Sequence, residues 1–181
     1  MIVLSGASAS GKTEVAKMLA SKYGIVKVIT TTTRPMRIGE VNGRDYFFVS
    51  KDEFEEMIRN DEFVEFTIYN GNYYGSTKSQ IGPNKCIVID PQGLKSYSEL
   101  DNKEIITFFL NAEENTRLYR MIQRGDSQDD AYKRIKNDKH VFNPSKLAKV
   151  DYKIDSETQT VEQVADEIYR LYREEMKQIE K

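Results

Sequence analysis

A phosphate-binding loop motif lies close to the start of the sequence and constrains the fold more than any other feature. The stretch Gly6–Thr13, GASASGKT, matches the pattern G-x-x-x-x-G-K-[ST]. The apolar run Ile2–Leu4 precedes it directly, and an amphipathic helical pattern with Val15, Ala16 and Leu19 follows it. A strand, a glycine-rich turn and a helix in this order predict an α/β domain in which backbone N–H groups and the start of a helix surround a phosphate.

The residue types in the motif fit a nucleoside triphosphate. Glycines permit the backbone angles that let the loop wrap around the β-phosphate. Lys12 is expected to reach the β- and γ-phosphates, and the Thr13 hydroxyl to ligate Mg²⁺, which is the expected cofactor. The residues predicted to bind ATP are Gly6, Ala7, Ser8, Ala9, Ser10, Gly11, Lys12 and Thr13. A dinucleotide-binding fold is disfavoured, because the sequence has no G-x-G-x-x-G.

The composition excludes several classes of partner. The chain's 27 basic and 29 acidic residues give a net charge of −2, whereas a nucleic-acid-binding domain normally carries a basic face. An anionic substrate must therefore be held by locally clustered arginines. No apolar run approaches the roughly 18 residues that span a bilayer, no signal peptide is recognised, and the lone Cys86 suits a reducing compartment. A cytoplasmic protein with small-molecule substrates is expected, without a membrane or nucleic-acid partner and either monomeric or homodimeric.

Short apolar runs alternate with helical patterns along the chain, which is typical of a mostly parallel sheet covered by helices on both faces. The predicted strands are Ile2–Leu4, Val26–Ile29, Lys85–Ile89, Ile105–Leu110 and Tyr152–Ile154. Capping boxes predict three helix starts. The boxes pair Ser50 with Glu53, Asn111 with Glu114, and Thr160 with Gln163.

The region Thr30–Ser76 differs from the rest of the chain. It is dense in Gly, Asn, Thr, Tyr and Arg, and its short strands, Tyr46–Val49 and Phe63–Tyr69, are expected to be antiparallel. This segment is interpreted as an insertion that builds a site on the α/β core.

A long polar string within this region resembles a known family. The stretch Thr31–Val49, TTTRPMRIGEVNGRDYFFV, together with Glu65 and the stretch Gly71–Ser76, GNYYGS, resembles the guanylate kinase family, and the resemblance extends over most of the chain. It implies an α/β P-loop NTPase-type three-layer core with a parallel sheet (1–30, 77–115 and 140–181), a small α+β monophosphate-binding insertion (31–76) and a helical lid (116–139). The implied reaction is the ATP-dependent phosphorylation of GMP, and of dGMP, to the diphosphates.

The resemblance also implies roles for individual residues. Those that would grip the acceptor monophosphate are Arg34, Arg37, Tyr46 and Tyr74. Those that would read the guanine are Glu65, Ser76, Asp90 and a threonine of the pair Thr30 and Thr31. The implied catalytic residues are Lys12, Arg34 and the lid-side arginines Arg120, Arg124 and Arg134. Asp155 and Ser156 stand near the family's adenine contact.

The side-chain chemistry agrees with these roles. The planar guanidinium forks of Arg34 and Arg37 suit a phosphate dianion, and tyrosine hydroxyls can donate to the remaining phosphate oxygens. Guanine presents N1–H and N2–H₂ side by side, so the Glu65 carboxylate can accept from both. Adenine offers the opposite pattern and would leave buried groups unpaired.

The lid segment carries a helical face of arginines. Arg117, Arg120 and Arg124 recur at three- and four-residue spacing and therefore share one face of a helix. Such a face is, on its own, typical of a solvated basic surface, and the family resemblance favours a functional role for Arg120 and Arg124.

Three positions depart from the family's pattern. Ala9 replaces a usual glycine, Val88 replaces a frequent acidic residue that supports Mg²⁺, and Pro91 follows Asp90. The sole histidine, His140, is interpreted as a surface residue. Two alternatives stay open. A non-catalytic guanylate-kinase-like binding module would generally lack an intact phosphate loop, and a kinase for another small acceptor would lack the guanine-reading residues.

Overall fold

The structure, a computed structural model, describes residues 1–143 and 147–179. The strands are β1 (Ile2–Ser5), β2 (Val26–Lys27), β3 (Thr31–Thr32), β4 (Phe47–Phe48), β5 (Phe63–Tyr69), β6 (Asn72–Thr77), β7 (Lys85–Val88), β8 (Ile106–Asn111) and β9 (Tyr152–Asp155). The helices are α1 (Lys12–Tyr23), α2 (Lys51–Arg59), α3 (Pro91–Glu99), α4 (Glu114–Gln123), α5 (Gln128–Val141) and α6 (Val161–Ile179).

The central sheet contains the five apolar strands that the sequence predicts, in the order β2-β7-β1-β8-β9. Every neighbouring pair in it is parallel, so the carboxyl ends of the strands meet at one edge. β1 lies in the middle of this sheet, and its carboxyl end leads directly into the phosphate loop. The α/β fold class is therefore confirmed.

Helices cover both faces of the central sheet. On one face α1 and α6 pack together through residues that include Leu19 and Ile168. On the other face α3 packs through Leu94 and its neighbours. Helices α4 and α5 pack on each other through a small separate cluster around Met121 and Ile135. This last pair stands beside the phosphate loop.

A second sheet, in the order β4-β3-β6-β5, is built from the insertion predicted between Thr30 and Ser76. Its strand β6 extends one residue further, to Thr77. β5 and β6 pair antiparallel, as expected. The expectation that Tyr46–Val49 is antiparallel is wrong, because β4 runs parallel to β3. The long connection 33–46 carries the chain back to the starting end before β4 begins, and a parallel pair requires such a crossover.

Two of the three predicted capping boxes are present. Ser50 and Glu53 form a reciprocal box at the start of α2. Thr160 and Gln163 do the same before α6, with the Thr160 N–H donating to Gln163 Oε1 at 2.9 Å. The box at Asn111 is wrong. Asn111 is the last residue of β8 and its carbonyl accepts from Ser156, so the strand extends through it and α4 begins after Glu113.

Three smaller expectations concern single features. Cys86 is buried, and burial raises the pKa of its thiol to about 12, which makes it an apolar packing group and not a nucleophile. His140 lies on the exposed surface of α5. Across the described ranges of the chain, no helix has both the length and the apolar character needed to span a membrane.

Candidate active site

The phosphate loop connects Ser5, at the end of β1, to Lys12, at the start of α1. Three of its residues have positive φ angles, namely Gly6 at 149°, Ala9 at 61° and Gly11 at 95°. A Cβ atom on Gly6 would lie 2.5 Å from the carbonyl oxygen of Leu110, so glycine is required there. Ala9 keeps the left-handed backbone that a glycine, the usual residue in the family that the sequence resembles, would favour, at a conformational cost of about 1–2 kcal/mol.

Lys12 folds back over the loop. Its Nζ donates to the carbonyl oxygens of Gly6 at 2.5 Å and Ala7 at 2.9 Å. Burial lowers the pKa of this ammonium to about 8, while the negative charge of Asp138 acts in the opposite direction. A phosphate can replace the two carbonyls as partner, because the ammonium lies on a flexible stem inside the loop.

Thr13 meets the requirement for a Mg²⁺ ligand. Thr13 is exposed in the first turn of α1, and its hydroxyl forms no hydrogen bond within the described residues. Those residues contain no group of three or more His, Cys, Asp or Glu side chains that could hold a metal ion. An exposed hydroxyl that acts together with phosphate oxygens and water fits Mg²⁺, a hard cation that prefers oxygen ligands.

A cavity of about 460 Å³ lies on the α6 side of the phosphate loop. Its lining includes the loop residues from Ala9 to Thr13 together with Arg120, Arg124 and Ser156. Arg120 donates from Nη2 to the carbonyl oxygen of Ser156 at 2.6 Å, and from Nη1 to that of Ala9 at 3.4 Å. The structure thus brings the loop together with two of the three predicted lid arginines.

Arg124 and Arg134 are less tightly held than Arg120, and of the two only Arg124 lines the cavity. Arg124 is exposed and pairs with Asp126 at 2.7 Å. Arg134 lies exposed on α5 and does not line the cavity that Arg120 lines.

Asp155, which stands near the expected adenine contact, lines a separate cavity beside β8 and β9. Its carboxylate accepts from the Thr158 hydroxyl at 2.5 Å.

A second cavity, of about 570 Å³, joins the phosphate loop to the insertion sheet. The predicted site residues that line it are Thr13, Thr30, Tyr46, Glu65, Tyr74 and Asp90. Thr31 is buried in β3, so Thr30 is the member of the threonine pair that faces this cavity. Ser76 lies behind Glu65 and is fully buried.

Glu65, which is predicted to read the base, stands at the insertion end of this cavity. Its Oε1 accepts from the Ser76 hydroxyl at 2.6 Å and from the Ser76 N–H at 3.2 Å. Burial raises the pKa of the Glu65 carboxyl, the Ser76 hydrogen bonds lower it, and the nearby charge of Asp90 raises it further. Behind it, the Tyr97 hydroxyl donates to Ser76 Oγ at 3.0 Å.

Asp90 stands at the carboxyl end of the central sheet. It is the N-cap of α3, and its Oδ1 accepts from the Gly93 N–H at 2.8 Å. Pro91, an unexpected residue at the sequence level, occupies the first position of α3. Proline is well suited to that position, because its missing N–H would have no helical partner there. The departure therefore supports the helix that orients Asp90.

The side chains predicted to grip the acceptor phosphate are held in place around Arg34 by contacts within the insertion. Its Nη2 pairs with Glu40 Oε1 at 2.7 Å, and its guanidinium carbon lies 5.4 Å from the ring centre of Tyr46. The rings of Tyr46 and Tyr74 meet edge to face with centres 6.2 Å apart. Arg37 is exposed and contributes its N–H to Glu40 Oε2 at 2.7 Å. Neither Arg34 nor Arg37 lines the cavity itself; Arg34 reaches it through Tyr46, which does.

Several residues of this site were not predicted from the sequence. Thr67 lines the same cavity as Glu65, and the two-residue alternation of a strand could have identified it. Lys17 and Lys27 also line that cavity, although nothing in their local pattern separates them from surface lysines. Arg117, interpreted as part of a basic surface, is in fact buried.

The parallel sheet with its first strand in the centre, the phosphate loop and the adjoining second cavity define a nucleoside monophosphate kinase. The guanylate kinase family model matches residues 1–175. The chain belongs to the guanylate kinase family.

Individual relatives agree with this assignment. The chain is 35% identical to the guanylate kinase of Fusobacterium nucleatum subsp. nucleatum, over 76% of this chain and 78% of the relative. It is 33% identical to that of Anaplasma phagocytophilum, over 97% of this chain and 86% of the relative. The crystal structure of the Anaplasma guanylate kinase matches with a TM-score of 0.61 at 28% identity, over 97% of this chain and 85% of that one.

Proposed function

We propose that the protein transfers the γ-phosphoryl group of ATP to GMP, and also to dGMP, giving ADP and the corresponding diphosphate. One observation carries the proposal. A single cavity runs from Thr13 in the phosphate loop to the partly buried carboxylate of Glu65, so a nucleoside monophosphate can span it with its phosphate near the loop and its base at Glu65. Guanine matches that carboxylate through its adjacent N1–H and N2–H₂ donors.

On the donor side, Lys12 would exchange its two carbonyl partners for the β- and γ-phosphates. Arg120 and Arg124 would neutralise charge that spreads over the transferred group. When bound, Mg²⁺ supplies Lewis-acid polarisation of the phosphates, and Thr13 is the residue that would hold it. Phosphoryl transfer depends mainly on positioning and charge neutralisation, which accords with the absence of a nucleophilic side chain from this scheme.

On the acceptor side, the Arg34 fork would bind the GMP phosphate and turn one of its oxygens towards the donor. Glu40 already holds Arg34 at 2.7 Å and the Tyr46 ring supports it, so little side-chain entropy is lost on binding. The tyrosine hydroxyls of Tyr46 and Tyr74 can donate to further phosphate oxygens. Arg37, exposed beside this end, would join when the insertion closes.

The three-part division follows from this scheme. The core would comprise 1–30, 77–115 and 140–181, the insertion 31–76 would carry the acceptor, and the lid 116–139 would carry Arg120, Arg124 and Arg134. Closure of the lid would bring Arg134 towards the phosphates and exclude water, which suppresses hydrolysis of ATP.

The proposal is tested by following the phosphoryl group itself. With ATP labelled at the γ-phosphate and unlabelled GMP, the label is expected in GDP. It should stay in ATP when Lys12→Ala replaces the wild type. Label released as inorganic phosphate at the same rate with and without GMP would contradict the proposal. In parallel reactions with other small acceptors in place of GMP, transfer of the label to one of them, with none to GDP, would favour the alternative kinase. The departure at Val88, a residue of the cavity wall, keeps that alternative open.

A further inference from the structure

A buried ion pair connects the two lid-side helices to the phosphate loop. Arg117 on α4 and Asp138 on α5 meet at 2.7 Å between Nη1 and Oδ2, and their side chains are only 7% and 6% exposed. Asp138 also binds Ser8 twice. Its Oδ2 accepts from the Ser8 N–H at 2.9 Å, and its Oδ1 accepts from the Ser8 hydroxyl at 3.1 Å.

Arg117 completes the contacts around the same residue. Its Nη1 donates to the Ser8 carbonyl oxygen at 3.3 Å, and its Nε donates to that of Ala112 at 3.2 Å. The N–H, the C=O and the hydroxyl of Ser8 are thus all held by side chains from outside the loop. Each peptide unit is planar, so fixing the N–H and the C=O of Ser8 fixes the two peptide planes on either side of it. The direction of the Ala9 N–H in the loop is thereby set as well.

Stability alone is a weak explanation for this arrangement. A buried ion pair contributes little to folding compared with apolar side chains of similar volume. A carboxylate next to a loop that binds phosphates also repels the ligand, unless a cation offsets it. Arg117 provides that cation, and the charges of the pair cancel at the place where the triphosphate arrives.

We propose that Asp138, held by Arg117, is a positioning residue that anchors helix α5 to the phosphate loop at Ser8. The anchor keeps the loop in its triphosphate-binding conformation. It also sets the rotation of α5, and with it the direction of Arg134, which stands four residues earlier on the helix. The inference rests on the proposed donor site and adds to it a connection between the lid and the loop.

The test compares Asp138→Asn with a matched control, Asp129→Asn, which changes an exposed carboxylate in the first turn of the same helix. Asparagine keeps the size of Asp138 but has one acceptor oxygen instead of two and no charge. A lost hydrogen bond to a charged group predicts a rise of about tenfold in the Kd for a fluorescent ADP analogue and in the KM for ATP. The KM for GMP should stay within about twofold, and Asp129→Asn should match the wild type.

A second variant separates positioning from folding. Arg117→Met combined with Asp138→Leu replaces the pair by apolar side chains, which is expected to restore thermal stability. The inference predicts that ADP affinity nevertheless stays weak in this folded double variant. Wild-type affinity in the double variant, or in folded Asp138→Asn, would overturn it and leave the pair a merely structural feature.

Measuring ADP binding distinguishes a failure of the proposed anchor from a failure of the proposed function. ADP binding requires no acceptor, so a wild type that binds ADP but does not phosphorylate GMP would refute the acceptor assignment and still test the anchor. A wild type that phosphorylates GMP, with Asp138→Asn equal to it in ADP affinity, would refute the anchor alone. Absence of ADP binding by the wild type would overturn both the donor site and the anchor.

Discussion

Ser76 Oγ donates a hydrogen bond of 2.6 Å to Glu65 Oε1, across the β5–β6 pair in which these two residues stand opposite each other. Ser76 Oγ also accepts a hydrogen bond from the Tyr97 hydroxyl at 3.0 Å. Because a serine hydroxyl has a single proton, the donation by Tyr97 directs that proton towards Glu65. Ser76 therefore supports the Glu65 carboxylate in this structure, and its own contact with the guanine stays a prediction.

Replacement of Tyr97 by phenylalanine tests this support. Tyr97→Phe retains the ring in the core but removes the donor, so Ser76 can turn away from Glu65. The loss of one hydrogen bond predicts a KM for GMP that is raised by a factor of about 2–10, with the KM for ATP unchanged. Steady-state kinetics with each substrate varied in turn measures both values. An equal rise in both KM values would indicate a general loss of structure instead.

The protonation of Glu65 predicts opposite pH effects on binding and on stability. Burial raises the pKa of this carboxyl above its ordinary value of 4.5, and only the ionised form accepts both guanine donors. The affinity for GMP should thus fall as the pH drops through the raised pKa, while ADP affinity should not follow it. Titration calorimetry of both ligands across this range measures the difference.

For stability the sign is reversed. The native carboxyl holds its proton more tightly than the unfolded one, so the contribution of Glu65 to stability decreases as the pH rises from the ordinary pKa through the raised one. Glu65→Gln removes this cost. Its melting temperature relative to wild type should therefore be more favourable at neutral pH than below pH 4.5. A difference that does not change with pH would argue against a buried ionised carboxylate.

The fork of Arg34 predicts that lysine cannot replace it. Arg34 binds Glu40 and stacks on Tyr46 while keeping further donors for a phosphate; lysine has a single ammonium and no planar face. Arg34→Lys should raise the KM for GMP by about tenfold or more. Arg44→Lys is the control, since Arg44 lies in the same connection and its side chain is 64% exposed; among the described residues its guanidinium binds Asp45 and the Gly39 carbonyl.

The pKa of Lys12 predicts that donor binding takes up protons. The Lys12 ammonium of the free protein has a pKa of about 8, and phosphates favour its charged form. At a pH near that value, ADP binding should be accompanied by proton uptake, and affinity should fall as the pH rises further. Calorimetry in buffers with different ionisation enthalpies measures the uptake. It should disappear in Lys12→Met, and its persistence there would assign the proton to another group.

The crowded backbone at Gly6 predicts a large loss of stability on adding one methyl group. Gly6 has a φ of 149°, and a Cβ there would meet both Leu110 O at 2.5 Å and Ser10 Oγ at 2.8 Å. Gly6→Ala is expected to cost about 2 kcal/mol or more in urea unfolding. Gly82→Ala, where nothing lies within 4 Å, should change stability by less than about 0.5 kcal/mol.

Local patterns allowed the prediction of the core but not of its long-range contacts. The strands of the central sheet and the box at Ser50 depend on neighbouring residues, so the sequence indicates them directly. The direction of β4 depends on the path of the whole 33–46 connection. The box at Asn111 failed because β8 pairs one residue further, with β9.

The supporting residues of the site were not predictable for the same reason. Asp138 lies 130 residues from Ser8 in sequence, and Tyr97 lies 21 residues from Ser76, so only the folded chain brings each pair together. Arg117 has the spacing of a surface residue on α4. Its burial depends on Asp138, a partner on a different helix. The residues that carry the family resemblance were predictable, whereas those that orient them were not.

The central claim is that the cavity between Thr13 and Glu65 selects a guanine monophosphate. The most direct measurement is kcat/KM for GMP, dGMP, AMP, UMP and CMP with ATP as donor, in the wild type and in Glu65→Gln. We expect the wild type to favour GMP and dGMP over AMP by at least about a hundredfold, and Glu65→Gln to lose most of this ratio. Equal or better turnover of AMP or a pyrimidine monophosphate by the wild type would contradict it.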